Sequence, residues 1–344
     1  MRRLLALTLI AVMALGVIGY AQDLGTRDNP IYMLLVPSTE GSTVEENGKL
    51  IAEALSAATG LYIKDSLQQD YTGMIEAMAA SDGDTFGIPA SVQYLGIYNR
   101  TGGNCSIRLA SVRYGEGTYY GAIYVRRDSG IESIIDLHDK VWVYNDVGSG
   151  SGYVIPKQMF DNLGIVPSNV IESGGHTNTI AALYEGQGDF ATAYYSKPTS
   201  PAGWIGDTWE YGDYIERWVW DPHIGDVYSV PGYMTDIVET CRDVRRALKS
   251  TYDFADVVRE IKVLMLEGDE IPNDGICFGP DFPVDIADTI VDAIKAHIGT
   301  QANPGPGNAL WADENFYEWN EVMDVTDAFY DKLRVTLQIP IPER

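Results

Sequence analysis

The sequence predicts an α/β fold in two lobes, the second inserted in the first, and three observations carry this. From residue 31 to residue 194, short apolar runs rich in Val, Ile and aromatic residues alternate with segments of helical periodicity. That is the pattern of a parallel sheet covered by helices on both faces. Past Tyr233 the alternation gives way to helical stretches. In the middle, Lys140-Val-Trp-Val-Tyr-Asn145, then Asp146-Val-Gly-Ser-Gly-Ser-Gly-Tyr153, then Val154–Leu163 read as strand, Gly/Ser turn and helix. The predicted lobes are residues 28–120 with 232–344, and residues 121–231, with crossings near Tyr119–Val125 and Val227–Tyr233. Two connections make a hinge, and a cleft between lobes suits a small molecule.

Taken in order, Ile31-Tyr-Met-Leu-Leu-Val36 is an apolar strand. Ser42-Thr-Val-Glu45 has the form of a capping box, opening a helix with Val44, Leu50, Ile51, Ala54, Leu55 and Ala58 on one face and Gly60 at its end. Leu61–Lys64 is a strand, Asp70–Met78 a short helix, and Thr85–Ile88 and Ile107–Val112 two further strands. Thr118–Val125 follows as a strand, then a short helix Ile131–Leu137 capped by Ser129. Gly164 is placed to stop the helix after the Gly/Ser turn. Ser173-Gly-Gly-His-Thr-Asn178 leads to a helix Thr179–Glu185, Asp189–Tyr194 is a strand, and Ser196–Asp213 is a loop. The C-terminal third reads as helices over Asp236–Lys249, Phe254–Glu267, Pro283–His297 and Ala312–Val335.

Met1-Arg-Arg, an apolar run Leu4–Ile18 and Gly19-Tyr-Ala21 make a secretory signal peptide, with cleavage expected after Ala21. The run falls short of the about 20 apolar residues that a membrane span needs. An exported, soluble, periplasmic or extracytoplasmic protein is expected. The formal net charge is −25, and losing Arg2 and Arg3 with the signal makes the mature chain more acidic still. Such a surface repels nucleic acid and anionic lipid, so any anion site must work through local donors. Cys105, Cys241 and Cys277 allow three pairings, of which Cys241–Cys277 is favoured. His138, His176, His223 and His297 stand far apart in the sequence, without metal-ligand spacing. No metal or cofactor is expected.

The turn can carry chemistry. Glycines let backbone approach a ligand, Ser149 and Ser151 add hydroxyls, and the N–H groups of a helix's first turn point at what sits there. The same segment also serves as an ordinary βα turn. Pro156 falls in the first turn, where its missing N–H costs nothing.

Several fragments in order give a resemblance: Asp70-Tyr71…Ile75-Glu76, Tyr120 before the strand to Val125, Asp128-Ser-Gly-Ile131…Asp136-Leu137, Ser149-Gly-Ser-Gly152, Gly174-Gly-His176 and Gly188-Asp-Phe-Ala191. Over about Asp70 to Tyr194 the chain resembles the periplasmic substrate-binding proteins of phosphonate, phosphite and phosphate ABC transporters. The resemblance implies a type II periplasmic-binding-protein fold, and a ligand held by Ser149, Ser151, Tyr71 and His176. Gly150 stands where the family turn has Thr, keeping the backbone N–H and losing a hydroxyl. Tyr119, Tyr120 and Tyr153 are further candidates for the cleft. Thr177 stands where members that take aminoalkyl phosphonates have an acidic residue, so aminoethylphosphonate is not the expected ligand. Each residue also has a plainer reading: turn former for the serines, packing for the tyrosines, helix capping for His176.

The expected function is capture of a small oxyanion (phosphonate, phosphite or phosphate) by a monomer that delivers it to a membrane permease. A sulfonate or a thiamine-like or zwitterionic ligand is the alternative within the binding class. An exported enzyme would need a nucleophile–base pair or a metal site, and no such signature stands out. A sensor module is the third reading.

Overall fold

The computed structural model describes residues 24–37, 41–196, 218–221, 223, 226–229, 244–313 and 315–344. The expected signal peptide, the Ser196–Asp213 loop past its first residue, and Cys241 of the favoured disulfide lie outside these residues. So do most of the second predicted crossing and of the Asp236–Lys249 helix. The elements are β1 (Ile31–Leu35), α1 (Gly41–Thr59), β2 (Ile63–Leu67), α2 (Tyr71–Ala79), β3 (Thr85–Gly87), α3 (Ser91–Arg100), β4 (Ser106–Val112) and β5 (Thr118–Arg126). Then come β6 (Val141–Tyr144), α4 (Ile155–Leu163), β7 (Asn169–Glu172), α5 (His176–Tyr184), β8 (Phe190–Tyr195), β9 (Trp218–Asp221) and β10 (Asp226–Ser229). The chain closes with α6 (Phe254–Glu260), β11 (Ile261–Leu266), β12 (Ile271–Pro272), β13 (Gly275–Phe278), α7 (Val284–Ile298), α8 (Asn308–Trp311), β14 (Glu321–Asp324) and α9 (Asp331–Thr336).

Among the described residues there are two six-stranded sheets, each mixed rather than wholly parallel, and a two-stranded antiparallel pair of β9 and β10. The first has the order β14-β4-β13-β3-β1-β2. β1 pairs in parallel with β2 and β3, while β13 and β14 run antiparallel to their neighbours. The second has the order β11-β5-β8-β6-β7, with β12 added to the start of β5. One core gathers the helices of the first sheet; two smaller cores lie on the faces of the second. Period-two alternation along β5 sorts its residues between those two. Ala122 and Tyr124 face one core, Ile123 and Val125 the other.

Two segments cross between the sheets side by side. The chain leaves the first sheet after β4 and enters the second at β5. It returns through β12, whose Ile271 pairs with Tyr119. Asn273 ties the crossings together, its backbone N–H donating to Gly117 O at 3.0 Å and its Nδ2 to Glu116 O at 3.0 Å. The return thus falls after β11, well beyond the predicted boundary at residue 232. The cause is one misread segment: Phe254–Glu267, expected as one helix, is α6 followed by strand β11. Ile-Lys-Val-Leu-Met-Leu is apolar enough for either, and an antiparallel partner in β5 decides for the strand.

Other boundaries move for local reasons. α1 starts at Gly41, so Ser42 lies inside the helix rather than at its cap. Ser129 makes a tight turn, donating to Arg126 O and accepting from Ile131 N, and the short 3-10 turn begins at Ile134 behind Ser133. The expected helix Ala312–Val335 is broken into β14, a 3-10 turn Asp327–Tyr330 and α9. Its aromatic residues Phe316, Tyr317, Trp319 and Tyr330 are core rather than a helix face. α3, β7 and β13 were not foreseen. Cys277 is buried and its thiol meets that of Cys105, a neighbour the favoured pairing did not anticipate. Among the described residues no helix is long and apolar enough to cross a membrane, and no cluster of His, Cys, Asp and Glu is placed to hold a metal.

Candidate functional site

Strands of the first sheet end where strands of the second end, and a cavity of about 50 Å³ lies between them. Val36, Tyr71, Ile88, Ala90, Arg113, Tyr119, Ser151, His176, Tyr194, Asp274 and Tyr317 line it. Four helices begin there. Tyr71 is the first residue of α2, whose cap Asp70 accepts from Gly73 N at 2.7 Å. Ala90 precedes α3, and Gln93 reaches back to its N–H at 2.7 Å. Gln93 also donates to Tyr71 O at 3.1 Å, locking the two starts together. Ser151 lies in a π-helical first turn, Gly150–Val154, which runs into α4. His176 opens α5 after Gly175, whose φ of 151° favours glycine.

The Gly/Ser turn is anchored by what surrounds it. Trp142 Nε1 donates to Thr192 Oγ1 at 2.8 Å, and Thr192 in turn donates to Gly152 O. Ser149 caps the turn by accepting from Gly152 N at 3.2 Å. Ser151, not Ser149, is the serine at the cavity wall. Ser151 is 1 % exposed, and its Oγ has no hydrogen-bond partner among the described residues. Asn145, at the end of β6, is likewise buried without a partner for its amide.

The lobes meet closely at this point. A Cβ on Gly148 would stand 2.7 Å from the Cβ of Tyr71, and one on Gly150 would stand 3.0 Å from Val92 Cγ2. Gly150, where the resemblance expects Thr, is thus the residue that allows α3 to come so near.

The opposite wall is charged but balanced. Arg113 is 7 % exposed and pairs with Asp274 at 2.6 Å. Its Nε donates to Tyr317 O at 2.8 Å and Nη1 to Ser111 Oγ at 3.0 Å. Trp319 Nε1 donates to Asp274 Oδ2 at 2.7 Å. Tyr317 hydrogen-bonds both backbone groups of Val36. Burial, more than any neighbouring charge, pushes the phenols of Tyr71 and Tyr317 above their ordinary range, so both are neutral donors at working pH. Burial also raises the Asp146 carboxyl, although Gly148 N donates to it at 2.6 Å.

Of the residues singled out from sequence, the structure brings Tyr71, Tyr119, Ser151 and His176 to the cavity. Ser149 and Gly150 stand one shell behind in the same turn. Tyr120 and Tyr153 are elsewhere. On β5 the period of two sends Tyr119 to the cavity and Tyr120 into the core. Tyr153 stacks on Trp142, with ring centroids 5.2 Å apart and planes at 1°. Thr177 is half-buried on α5 and does not line the cavity. Arg113, Tyr194, Asp274 and Tyr317 were missed. A usable signal existed for two of them, since ligands gather at the carboxyl ends of strands, and Arg113 and Tyr194 sit at the ends of β4 and β8.

The sequence model of the family described as "ABC transporter, phosphonate, periplasmic substrate-binding protein" matches residues 33–303. The fold is similar to that of a binding protein component of an ABC phosphonate transporter from Pseudomonas aeruginosa, with TM-score 0.63 and 16 % identity over 89 % of this chain and 85 % of that one. It is also similar to PhnD1 from Prochlorococcus marinus in complex with methylphosphonate, with TM-score 0.60 and 10 % identity over 90 % and 97 %. A Xanthomonas citri protein bound to ATP gives TM-score 0.58 and 13 % identity over 90 % and 96 %. No curated protein matches the chain.

Proposed function

The chain belongs to the periplasmic substrate-binding proteins of phosphonate ABC transporters, and on that premise we propose that it captures a small phosphorus oxyanion between its lobes. Members of the family are transport components that hand a small molecule to a membrane permease; they are not enzymes. The observation that carries the finer reading is the convergence of four helix N-termini, two from each lobe, on one small cavity. Each such terminus is worth about 0.3–1 kcal/mol toward an anion, and more when partly buried. This local field resolves the conflict with a net charge of −25, because dipoles and hydroxyls act at contact distance while surface charge is screened.

Size supports a tetrahedral anion. A water occupies about 10–15 Å³ on this measure, so a cavity of about 50 Å³ holds about as many heavy atoms as surround one phosphorus. A nucleotide of the kind bound by the Xanthomonas protein is far larger. Ser151, Tyr71 and His176 supply donors to the oxygens, with the N–H groups around Gly150 behind them. The reading includes a monomer exported by the N-terminal signal with cleavage near Ala21, and lobes that close on the ligand.

Aminoethylphosphonate is expected to bind more weakly than methylphosphonate or phosphite. Asp274 does place a carboxylate at the wall, but Arg113 and Trp319 already engage it, so an ammonium group gains no net charge partner. Calorimetry with the two phosphonates checks this, and tighter binding of the amino compound would overturn it. For the function itself, titrations with methylphosphonate, phosphite, phosphate, sulfate and thiamine are decisive. One of the phosphorus anions is expected to bind tightest; preference for sulfate or thiamine would refute the reading.

A further inference from the structure

Directly opposed residues on antiparallel strands share a face of the sheet. β11 ends with Leu266 opposite Ala122, so the next pair is Glu267 against Gly121, where Glu267 N donates to Gly121 O at 2.9 Å. By alternation this is the face of β5 that presents Tyr119 to the cavity. A Cβ on Gly121 would collide with Glu267 Oε2 and stand 3.2 Å from the Cβ of Ser151. The missing side chain thus leaves room for the Glu267 carboxyl across β5, on the side where Ser151 approaches the same glycine, although the two are not hydrogen-bonded to each other in this structure. Glu267 is 6 % exposed, and neither of its carboxyl oxygens has a hydrogen-bond partner among the described residues. The same holds for Ser151 Oγ. Buried polar atoms left in this way are costly, and two such groups side by side point to a shared purpose.

We infer that Glu267 is a positioning residue for the ligand site: as the neutral acid it donates to Ser151 Oγ, which turns the serine's own O–H toward the bound oxyanion. This rests on the reading of the cavity as an oxyanion site. A hydroxyl has one hydrogen and two acceptor positions, so a serine that accepts from Glu267 keeps its hydrogen for the ligand. An ionised Glu267 is acceptor-only. Ser151 would then donate to it, present lone pairs to the ligand oxygens, and have a negative charge behind it. Burial raises the Glu267 carboxyl well above its ordinary range, which favours the neutral acid, and ionisation comes with rising pH. The groups around it are phenols: Tyr119 and Tyr120 precede Gly121 on β5, and Tyr194 opposes it on β8. Tyr153 follows Ser151 in the turn, while His176 and the Arg113–Asp274 pair lie around the cavity.

Calorimetry with methylphosphonate from pH 6 to pH 10 (a range of about four units, each tenfold in proton activity) tests this on wild type, Glu267→Gln, Glu267→Leu and Ser151→Ala. The ligand's own titration is common to wild type and Glu267→Gln, so the ratio of their Kd values isolates residue 267. Gln can still donate to Ser151 but cannot ionise. Wild type is expected to weaken relative to Glu267→Gln by about tenfold per pH unit above the Glu267 pKa. Glu267→Leu, lacking a donor, is expected to bind more weakly than Glu267→Gln at every pH, and the excess slope is expected to shrink in Ser151→Ala, where only the charge of the ionised acid remains. A constant ratio across the range, or Leu binding as tightly as Gln, would overturn the inference. Should Glu267→Gln give no folded protein in a thermal melt, parallel pH profiles of wild type and Ser151→Ala would overturn it equally. Absence of binding to any phosphorus anion by wild type would instead bring down the oxyanion reading on which it stands.

Discussion

Ser149 and Ser151 stand two positions apart, and their hydroxyls have different work. Ser149 accepts from Gly152 N and caps a helix, while Ser151 faces the cavity. Ser149→Ala is therefore expected to lower stability by about 0.5–2 kcal/mol, as loss of an N-cap does, read from denaturant unfolding. Ser151→Ala is expected to weaken oxyanion binding by about 1–3 kcal/mol, the cost of leaving a buried group unpaired, with little change in the unfolding midpoint. Equal effects of both changes on binding would contradict this division. Glu267 gives a second prediction. Its folded pKa is raised above 4.5 by burial, so above that pH the unfolded chain has released a proton that the native state still holds. Stability then falls as pH rises toward the native pKa. Glu267→Gln is expected to gain on wild type through that window in thermal melts, and a pH-independent difference would sink the claim. The turn and its serines were legible from residue types alone, whereas Glu267 was not, because nothing local marks residue 267 as the partner of residue 121.

Elements were legible where one local signal sufficed. The positive-φ stop at Gly164 and the apolar period of α7 each point one way. They failed where local signals were ambiguous or weak. β11 was read as helix because a six-residue apolar run carries no decisive period. α3 was passed over because Gly96 interrupts it and its cap Ala90 offers no side-chain oxygen. The C-terminal segment shows what tertiary packing adds. Arg334 in α9 is 1 % exposed and bound to Asp327 and, at 3.0 Å, to Asp331, with its guanidinium 4.8 Å over the Tyr98 ring of α3. Burial alone would raise the Asp327 carboxyl, yet hydrogen bonds from Tyr94, Arg334 and Arg344 hold it below its ordinary value. Removing the central cation by Arg334→Ala is expected to cost about 1.5–3 kcal/mol, since it takes charged hydrogen bonds from half-buried Asp327 and Asp331 and leaves them to Arg344 alone. A loss under 1 kcal/mol in denaturant unfolding would count against the network.

At the scale of the molecule, an acidic shell surrounds a small set of donors that two lobes bring together. The approach of Gly150 to Val92 makes closure sensitive to one side chain. Gly150→Thr restores the hydroxyl of the family turn, but its Cβ would stand 3.0 Å from Val92 Cγ2. It is expected to weaken oxyanion binding by about 1–3 kcal/mol, the usual cost of overpacking, and to enlarge the radius of gyration in ligand-saturated scattering. Tighter binding with unchanged dimensions would show that the extra hydroxyl outweighs the contact.

The sequence by itself determined the α/β class, the strand–turn–helix unit with its hydroxyls, and the cap that closes α4. Those signals are local, because period, cap chemistry and positive-φ glycine act within a few residues. Only the tertiary structure decided that Arg113, Asp274 and Tyr317 share a wall, that Tyr119 rather than Tyr120 reaches the cavity, and that Glu267 lies behind Ser151. Each of these follows from strand pairing and register over long sequence separations, which are chosen by burial of whole faces and leave no mark on any one stretch of chain.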